Sequence, residues 1–334
     1  MNQTKQIIEQ IKKAKSLVIT SHKSPDGDSI GSSMALYQFC KKINPQAQLE
    51  ICHPDPAPKF LTWLEEIDVI VNFEEKKELV AKKLEEADLI FALDFNEPSR
   101  LGNEMGEILN QAQGFKVMID HHLNPSGFAD INWSDTSSCS TCQMIYELIE
   151  DSENLTFLDE KVGTPIYLGI MTDTGSFRFN SVKAKTHLIV ANLIERGVKH
   201  DEIHENTFDD NTTDKLKLRG FATSEKLVIL ENNQVAYISL SEEELSRFKH
   251  DKGDTEGLVN VALSIKGVKI AVFFSEKEGE VKISFRSKGR NNPINMLANE
   301  HFNGGGHANA AGGKIVGSLD DAIKKFIQVV PNYL

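Results

Sequence analysis

Short apolar runs, many of them β-branched, alternate with amphipathic stretches through the first part of the chain. Ile7, Ile8 and Ile11 share one helix face, Leu17-Val18-Ile19-Thr20 reads as a buried strand, and Ile30, Met34, Ala35, Tyr37 and Phe39 carry a helix that follows Asp28. Further strands are expected at Leu49–Cys52, Val69–Val71, Asp88–Leu93 and Lys116–Ile119, with helical stretches such as Glu74–Glu86 between several of them. Strands that are apolar throughout and alternate with helices predict an α/β domain: a doubly wound, mainly parallel sheet covered on both faces. Ile166–Met171 reads as a helix end, helical spacing returns over Lys183–Arg196, and His200–Leu218 is polar enough to be a connecting helix and linker. The pattern then changes. Lys226–Leu230, Gln234–Leu240, Gly267–Phe274 and Glu280–Phe285 read as strands, with turns at Glu231-Asn232-Asn233 and Lys277-Glu278-Gly279 and a closing helix over Leu319–Val329. This predicts a smaller mixed α+β domain, and the expected division is 1–197, a connector at 198–222, and 223–334.

Acids and imidazoles punctuate this pattern at particular places. His22-Lys23-Ser24-Pro25-Asp26-Gly27-Asp28, Asp94 and Asp120-His121-His122 each begin where a strand candidate stops, and Asp173 follows the helix end at Met171. Open parallel sheets bind ligands outside the carboxyl ends of their strands. Ser-Pro-Asp-Gly-Asp-Ser is good turn chemistry by itself, and Asp94 could equally cap a helix from Pro98. Recurrence at successive strand ends argues against a bland surface reading for all of them. Four carboxylates, Asp26, Asp28, Asp94 and Asp173, together carry the charge that two divalent cations neutralise, which points to hydrolysis at phosphorus.

The formal net charge of −12 argues against a broad surface for duplex nucleic acid but not against a small basic pocket. Phe285-Arg286-Ser287-Lys288-Gly289-Arg290 ends a strand in such a local patch, and Arg286 is suited to hold a phosphate bidentately. Shortly after it, Gly304-Gly305-Gly306-His307 reads as a glycine loop opening a small-residue helix, with backbone N–H groups turned to an anion and His307 adding a donor. Cys139-Ser140-Thr141-Cys142 matches a C-x-x-C. A structural reading is preferred, with Ser137 and Ser138 capping a helix that buries Met144, Ile145, Leu148 and Ile149; no second pair exists for zinc. Four cysteines are too few for a disulfide scaffold. The N-terminus lacks the apolar segment of a leader, and no apolar run approaches a membrane span. The expected compartment is the cytoplasm, with no membrane partner.

Taken in order, His22-x-x-Pro25-Asp26-x-Asp28-x-x-Gly31-Ser32, Asp94, Asp120-His121-His122, Asp173 and Gly304-Gly305-Gly306-His307 resemble the motifs of the DHH/DHHA1 phosphoesterase family over nearly the whole chain. Size and domain content look most like its stand-alone nanoRNase type, the bifunctional oligoribonuclease and PAP phosphatase. The resemblance implies His22, Asp26 and Asp94 at one metal and Asp28, Asp94, His121 and Asp173 at a second, with Asp94 bridging and the metal usually manganese. It further implies that Asp120 orients an imidazole and that His122 faces the substrate phosphate; Arg286 and His122 are expected to neutralise charge developing on the phosphoryl oxygens, and Gly304, Gly305, Gly306 and His307 to clamp the rest of the nucleotide. The two cations are expected to share and activate a water. Expected substrates are short single-stranded RNAs, cleaved to nucleoside 5′-monophosphates, and 3′-phosphoadenosine 5′-phosphate (PAP), cleaved to AMP; there is room for a homodimer. The alternatives are hydrolysis of cyclic di-AMP or linear pApA, a nucleotide-binding regulator, and, more remotely, a thiol-redox protein.

Overall fold

Five of the apolar runs, joined by a sixth strand, form one parallel sheet. The computed structural model describes residues 3–209, 211–230, 233–251, 253–289 and 292–334, in two units, Met1–Asp210 and Asn211–Leu334. In the first unit α1 (Gln3–Lys13), β1 (Ser16–Ser21), α2 (Gly27–Ile43), β2 (Gln48–His53) and β3 (Ile70–Asn72) are followed by α3 (Lys77–Glu86), β4 (Leu89–Leu93), α4 (Asn103–Gln111), β5 (Phe115–Asp120) and β6 (Ile131–Ser134). Four helices close it: α5 (Thr141–Asp151), α6 (Glu160–Asp173), α7 (Ala184–Glu195) and α8 (His200–Phe208). The sheet order is β3-β2-β1-β4-β5-β6, and every pairing is parallel.

Alternate residues of each central strand feed two cores. Leu17, Ile19, Phe91, Leu93, Val117 and Ile119 pack with α1, α2, α5 and α6 on one face. Val18, Ile90, Ala92 and Met118 pack with α3 and α4 on the other. Burial on both faces explains why these strands read as continuous apolar runs. Chain direction across the sheet reverses between β1 and β4, so the crevice for a ligand is expected at the carboxyl ends of those two strands. Helices α2 and α6 meet there unusually closely: a Cβ at Gly31 would lie 2.5 Å from the Pro165 carbonyl oxygen.

The second unit contains α9 (Thr213–Ser224), β7 (Leu227–Ile229), β8 (Val235–Leu240), α10 (Glu242–Arg247), α11 (Leu258–Ser264), β9 (Ile270–Lys277) and β10 (Glu280–Ser287). It ends with α12 (Ile294–Phe302), β11 (Gly305–His307), β12 (Ala310–Val316) and α13 (Leu319–Val329). Its sheet order is β11-β12-β10-β9-β8-β7, antiparallel except between β8 and β9. One face packs on α12 and α13 through Val272, Phe274, Ile283 and Phe285. The other packs on α9 and α11 through Ile238, Ala271 and Phe273.

Several expectations need correction. The triple glycine does not open a helix: α12 ends before it, at a left-handed Asn303, and Gly305–His307 form an edge strand paired with Gly312, Ala311 and Ala310. Close backbone approach is the physical reason, since a Cβ at Gly304 would sit 1.9 Å from the Gly312 carbonyl oxygen. The cap of α5 is Ser140, whose hydroxyl accepts from the Gln143 N–H, rather than Ser137 or Ser138. Strand β6 was not anticipated, and α3 starts at Lys77 rather than Glu74. Residues 231 and 232 of the expected turn, Arg290 and the side chain of His307 lie outside the described residues. Among the described residues no helix is long and apolar enough to cross a membrane.

Candidate metal centre

Four loops at the carboxyl edge of the first sheet bring the acids and imidazoles together. His22 follows β1, and the turn after it leads into α2 with Asp26 as N-cap. One Asp26 oxygen accepts from the N–H groups of Asp28 (3.1 Å) and Ser29 (3.0 Å), while the Ser29 hydroxyl accepts from the Asp26 N–H. The other oxygen is left for the site, 3.8 Å from His22 Nε2. Asp94 follows β4 with a positive φ of 64°, a conformation that costs a non-glycine residue about 1–3 kcal/mol. It does not cap the short helix at Pro98–Leu101, whose N-cap is Glu97. The strained turn instead sends its carboxylate into the middle of the cluster.

Asp94 stands between two donor groups. Its Oδ2 lies 3.3 Å from His22 Nε2, and its Oδ1 lies 3.5 Å from His121 Nε2. On the second side His121 Nε2 is 3.8 Å from Asp28 Oδ2 and 3.6 Å from Asp173 Oδ2. His22, Asp26 and Asp94 thus offer donor atoms within 4.8 Å of one another, and so do Asp28, His121 and Asp173. Asp94, His121 and His122 make a third such set, but His122 Nδ1 is already held by Asp120 Oδ1 at 2.7 Å. That bond fixes the His122 ring with Nε2 directed away from the aspartate.

The electrostatics leave this constellation short of positive charge. Burial and the charges of Asp94 and Asp173 push the Asp28 carboxyl well above the ordinary range. Asp94 falls well below it: burial opposes ionisation, but hydrogen bonds from His121 and His22 prevail. Burial opposes protonation of the imidazoles too, yet Asp94 and its neighbours raise His22 to about 9 and His121 to about 10. Asp173, with 34 % of its side chain exposed, is pushed up to about 7 by burial, with Asp26 and Asp94 adding to the shift. Among the described residues Asp28, Asp94 and Asp173 form their ion pairs with histidines. Carboxylate oxygens with imidazole nitrogens suit a hard or borderline divalent ion, so the donor set fits two cations in both charge and chemistry.

Other residues hold this edge in place without a sequence signal that marks them as ligands. The Thr141 hydroxyl donates to Asp94 Oδ1 at 2.9 Å, and both Asp28 oxygens accept backbone N–H groups, from Thr141 at 2.6 Å and Cys142 at 2.9 Å. Asp55 accepts from the N–H of left-handed Ser24 at 2.6 Å. His53, fully buried, sits 3.0 Å from the Ser33 hydroxyl, and burial lowers its pKa to about 3. The cysteines do no redox work that the structure supports: Cys139 and Cys142 are buried and free, and burial raises both thiols.

In the second unit, register places His307, Ala310 and Arg286 side by side in one row across β11, β12 and β10. Arg286 donates from Nη1 to its own neighbour's carbonyl, Phe285, at 2.9 Å. The strand end beyond it is fixed by the Ser287 hydroxyl, which donates to the Asn292 carbonyl at 2.6 Å and accepts from Asn309 Nδ2 at 2.9 Å.

Residues 16–170 match the DHH family, N-terminal domain, and residues 232–333 match the DHHA1 domain. The chain is 30 % identical to the bifunctional oligoribonuclease and PAP phosphatase NrnA of Bacillus subtilis, over 95 % of this chain and 94 % of that protein. It is 31 % identical to the protein of the same description from Thermus thermophilus, over 94 % and 89 %. A crystal structure of an exopolyphosphatase-related protein from Bacteroides fragilis superposes with a TM-score of 0.95 at 36 % identity, covering 99 % of this chain and 96 % of that one.

Proposed function

The chain belongs to the DHH family of phosphoesterases with a C-terminal DHHA1 domain, and we propose that it hydrolyses short oligoribonucleotides to nucleoside 5′-monophosphates and PAP to AMP. The reading is carried by one observation: Asp94 stands between two adjoining donor groups, one oxygen towards His22 and the other towards His121, at the reversal point of the parallel sheet. Similarity to oligoribonuclease and PAP phosphatases over nearly their whole length supports the choice of substrate.

His22, Asp26 and Asp94 are assigned to one divalent cation, and Asp28, Asp94, His121 and Asp173 to a second, with manganese the choice that suits the donors. When bound, such ions lower the pKa of a water and offset charge on a phosphoryl group. The chain's own residues do the rest. Asp94 sets the two donor groups in register, and Asp120 fixes the His122 ring so that Nε2 meets a phosphoryl oxygen. Arg286 is assigned to a second phosphate or phosphoryl oxygen, and the Gly304–His307 strand to the remainder of the nucleotide. Burial of Asp28 and Asp94 keeps bulk water from screening them.

The test incubates purified protein, with manganese or EDTA, with PAP, pApA, cyclic di-AMP, a 5-mer and a 24-mer RNA, pyrophosphate and a short polyphosphate. Manganese-dependent cleavage of PAP and the 5-mer well ahead of the 24-mer is expected. Preference for cyclic di-AMP or pApA moves the assignment to dinucleotide messengers. Cleavage of pyrophosphate or polyphosphate alone overturns it.

A further inference from the structure

We propose that Thr141 is a positioning residue that sets the side of Asp94 facing Asp28, His121 and Asp173, and that the first turn of α5 is the template for this half of the site. The proposal rests on these residues holding divalent ions, as assigned above. Three buried hydrogen bonds carry it. The Thr141 hydroxyl donates to Asp94 Oδ1, the Thr141 N–H to Asp28 Oδ2 and the Cys142 N–H to Asp28 Oδ1. They join positions 47, 113 and 114 residues apart in sequence, so neither carboxylate is positioned by its own loop alone.

The geometry is one-sided. Asp94 Oδ2 faces His22, whereas Oδ1, the oxygen that Thr141 holds, faces His121. Both Asp28 oxygens point into the start of α5, an eleven-residue helix whose unsatisfied N–H groups and dipole favour negative charge. Each carboxylate oxygen has two lone pairs, so an N–H or O–H bond leaves one for a cation. Helix α6 closes the far side: a Cβ at Gly169 would stand 2.8 Å from Asp28 Oδ1 and 2.1 Å from the Cys142 sulfur. Thr141 and Asp28 are therefore locked together, and the Cys142 side chain packs behind them, its S–H donating to the Asp28 and Pro165 carbonyls at 3.6 Å.

Groups that orient metal ligands from behind typically change metal affinity roughly 10–100-fold when removed. Because Thr141 touches one side of Asp94, its loss should weaken one cation and spare the other. The experiment titrates manganese into metal-free protein and reads free manganese by electron paramagnetic resonance, with thermal unfolding of each variant recorded without metal. Wild type should bind two ions. Thr141→Val, which keeps the shape and removes the hydroxyl, should weaken one of the two by roughly 10–100-fold. The affected ion should be the one weakened by Asp173→Asn and not the one weakened by Asp26→Asn. Thr141→Ser should restore binding close to wild type, and kcat should follow the same order with little change in KM. If Thr141→Val does not fold, comparing Thr141→Ala with Thr141→Ser isolates the same hydroxyl. Unchanged binding of both ions in the hydroxyl-free variants overturns the positioning role while leaving the dimetal assignment standing. So does equal weakening of both ions, or failure of Ser to restore. A wild-type protein that binds no manganese overturns the assignment itself, and the proposal with it.

Discussion

The carboxyl edge of the first sheet and the glycine strand of the second unit solve opposite problems. At the first, four of the five acids have a second anchor: Asp26 is also a helix cap, Asp28 is clamped by two N–H groups, Asp94 is held in a strained turn by Thr141, and Asp120 is tied to His122. At the second, backbone rather than side chain is on offer, in a three-residue strand paired along one edge. Under the proposed function the contrast is a division of labour: cations need donors fixed before they arrive, whereas varied nucleotides need a surface that reads phosphate and backbone without a fixed pocket for each.

Even the glycines divide this way. A Cβ at Gly304 or Gly306 would meet the backbone of β12 at 1.9 or 2.5 Å, while a Cβ at Gly305 meets nothing within 4 Å. Two of the three are therefore required by the hairpin, and Gly305 has an open side.

The largest effect should come from breaking the first region at its centre. Asp94→Ala should lower kcat by roughly 10³-fold or more, the equivalent of the several kcal/mol that metal chemistry contributes, in a manganese-saturated assay; retained turnover would refute the shared-ligand assignment. In the second region Arg286→Ala should act on binding instead, raising KM on the order of 10-fold as a charge-assisted contact is lost. A fall in kcat with unchanged KM places Arg286 in the chemical step and blurs the division. Gly306→Ala should cost about 1–3 kcal/mol of stability in denaturant unfolding, because Gly306 combines φ of 139° with close approach to β12. Gly305→Ala should leave stability within about 0.5 kcal/mol, and equal losses at the two positions contradict the open side.

A separate effect is a pH dependence of the metal-free protein. His22 and His121 are raised from the ordinary 6.5 to about 9 and about 10. Groups whose folded pKa is raised contribute stability that is complete below the unfolded value and is lost as pH rises through the folded one. The melting temperature should therefore decline between pH 6.5 and 10, and replacing either histidine by Gln should flatten the decline. A metal-free melting temperature that rises across that window runs against the histidine–carboxylate balance described here.

Much of this was legible in the sequence because charge at the end of an apolar run is costly and seldom placed without use. The parallel sheet, the mixed second sheet and α13 followed from periodicity, and the positions of His22, Asp94 and Asp120 followed from where the strands stop. What stayed hidden has a common cause. Thr141 looks like any helix-starting threonine, and its partners lie 47 and 113 residues away. Asp55 supports the loop after β1 through Ser24, and His53 at the end of β2 meets Ser33 of α2, again through contacts that local pattern does not encode. The glycine segment was misread because glycine before a helix and glycine in a tightly paired strand look alike locally; only the backbone of β12 decides between them.

The central claim is that water, not a hydroxyl of the substrate, attacks phosphorus to leave a 5′-monophosphate. A single-turnover hydrolysis of a 5-mer RNA in ¹⁸O-labelled water, with manganese and mass analysis of the products, tests it most directly. The account predicts one ¹⁸O on the 5′-phosphate of the fragment downstream of each cleaved bond, with a free 3′-hydroxyl on the fragment upstream. Products ending in a 3′-phosphate or a 2′,3′-cyclic phosphate, or a downstream fragment whose 5′-phosphate lacks the label, would contradict it.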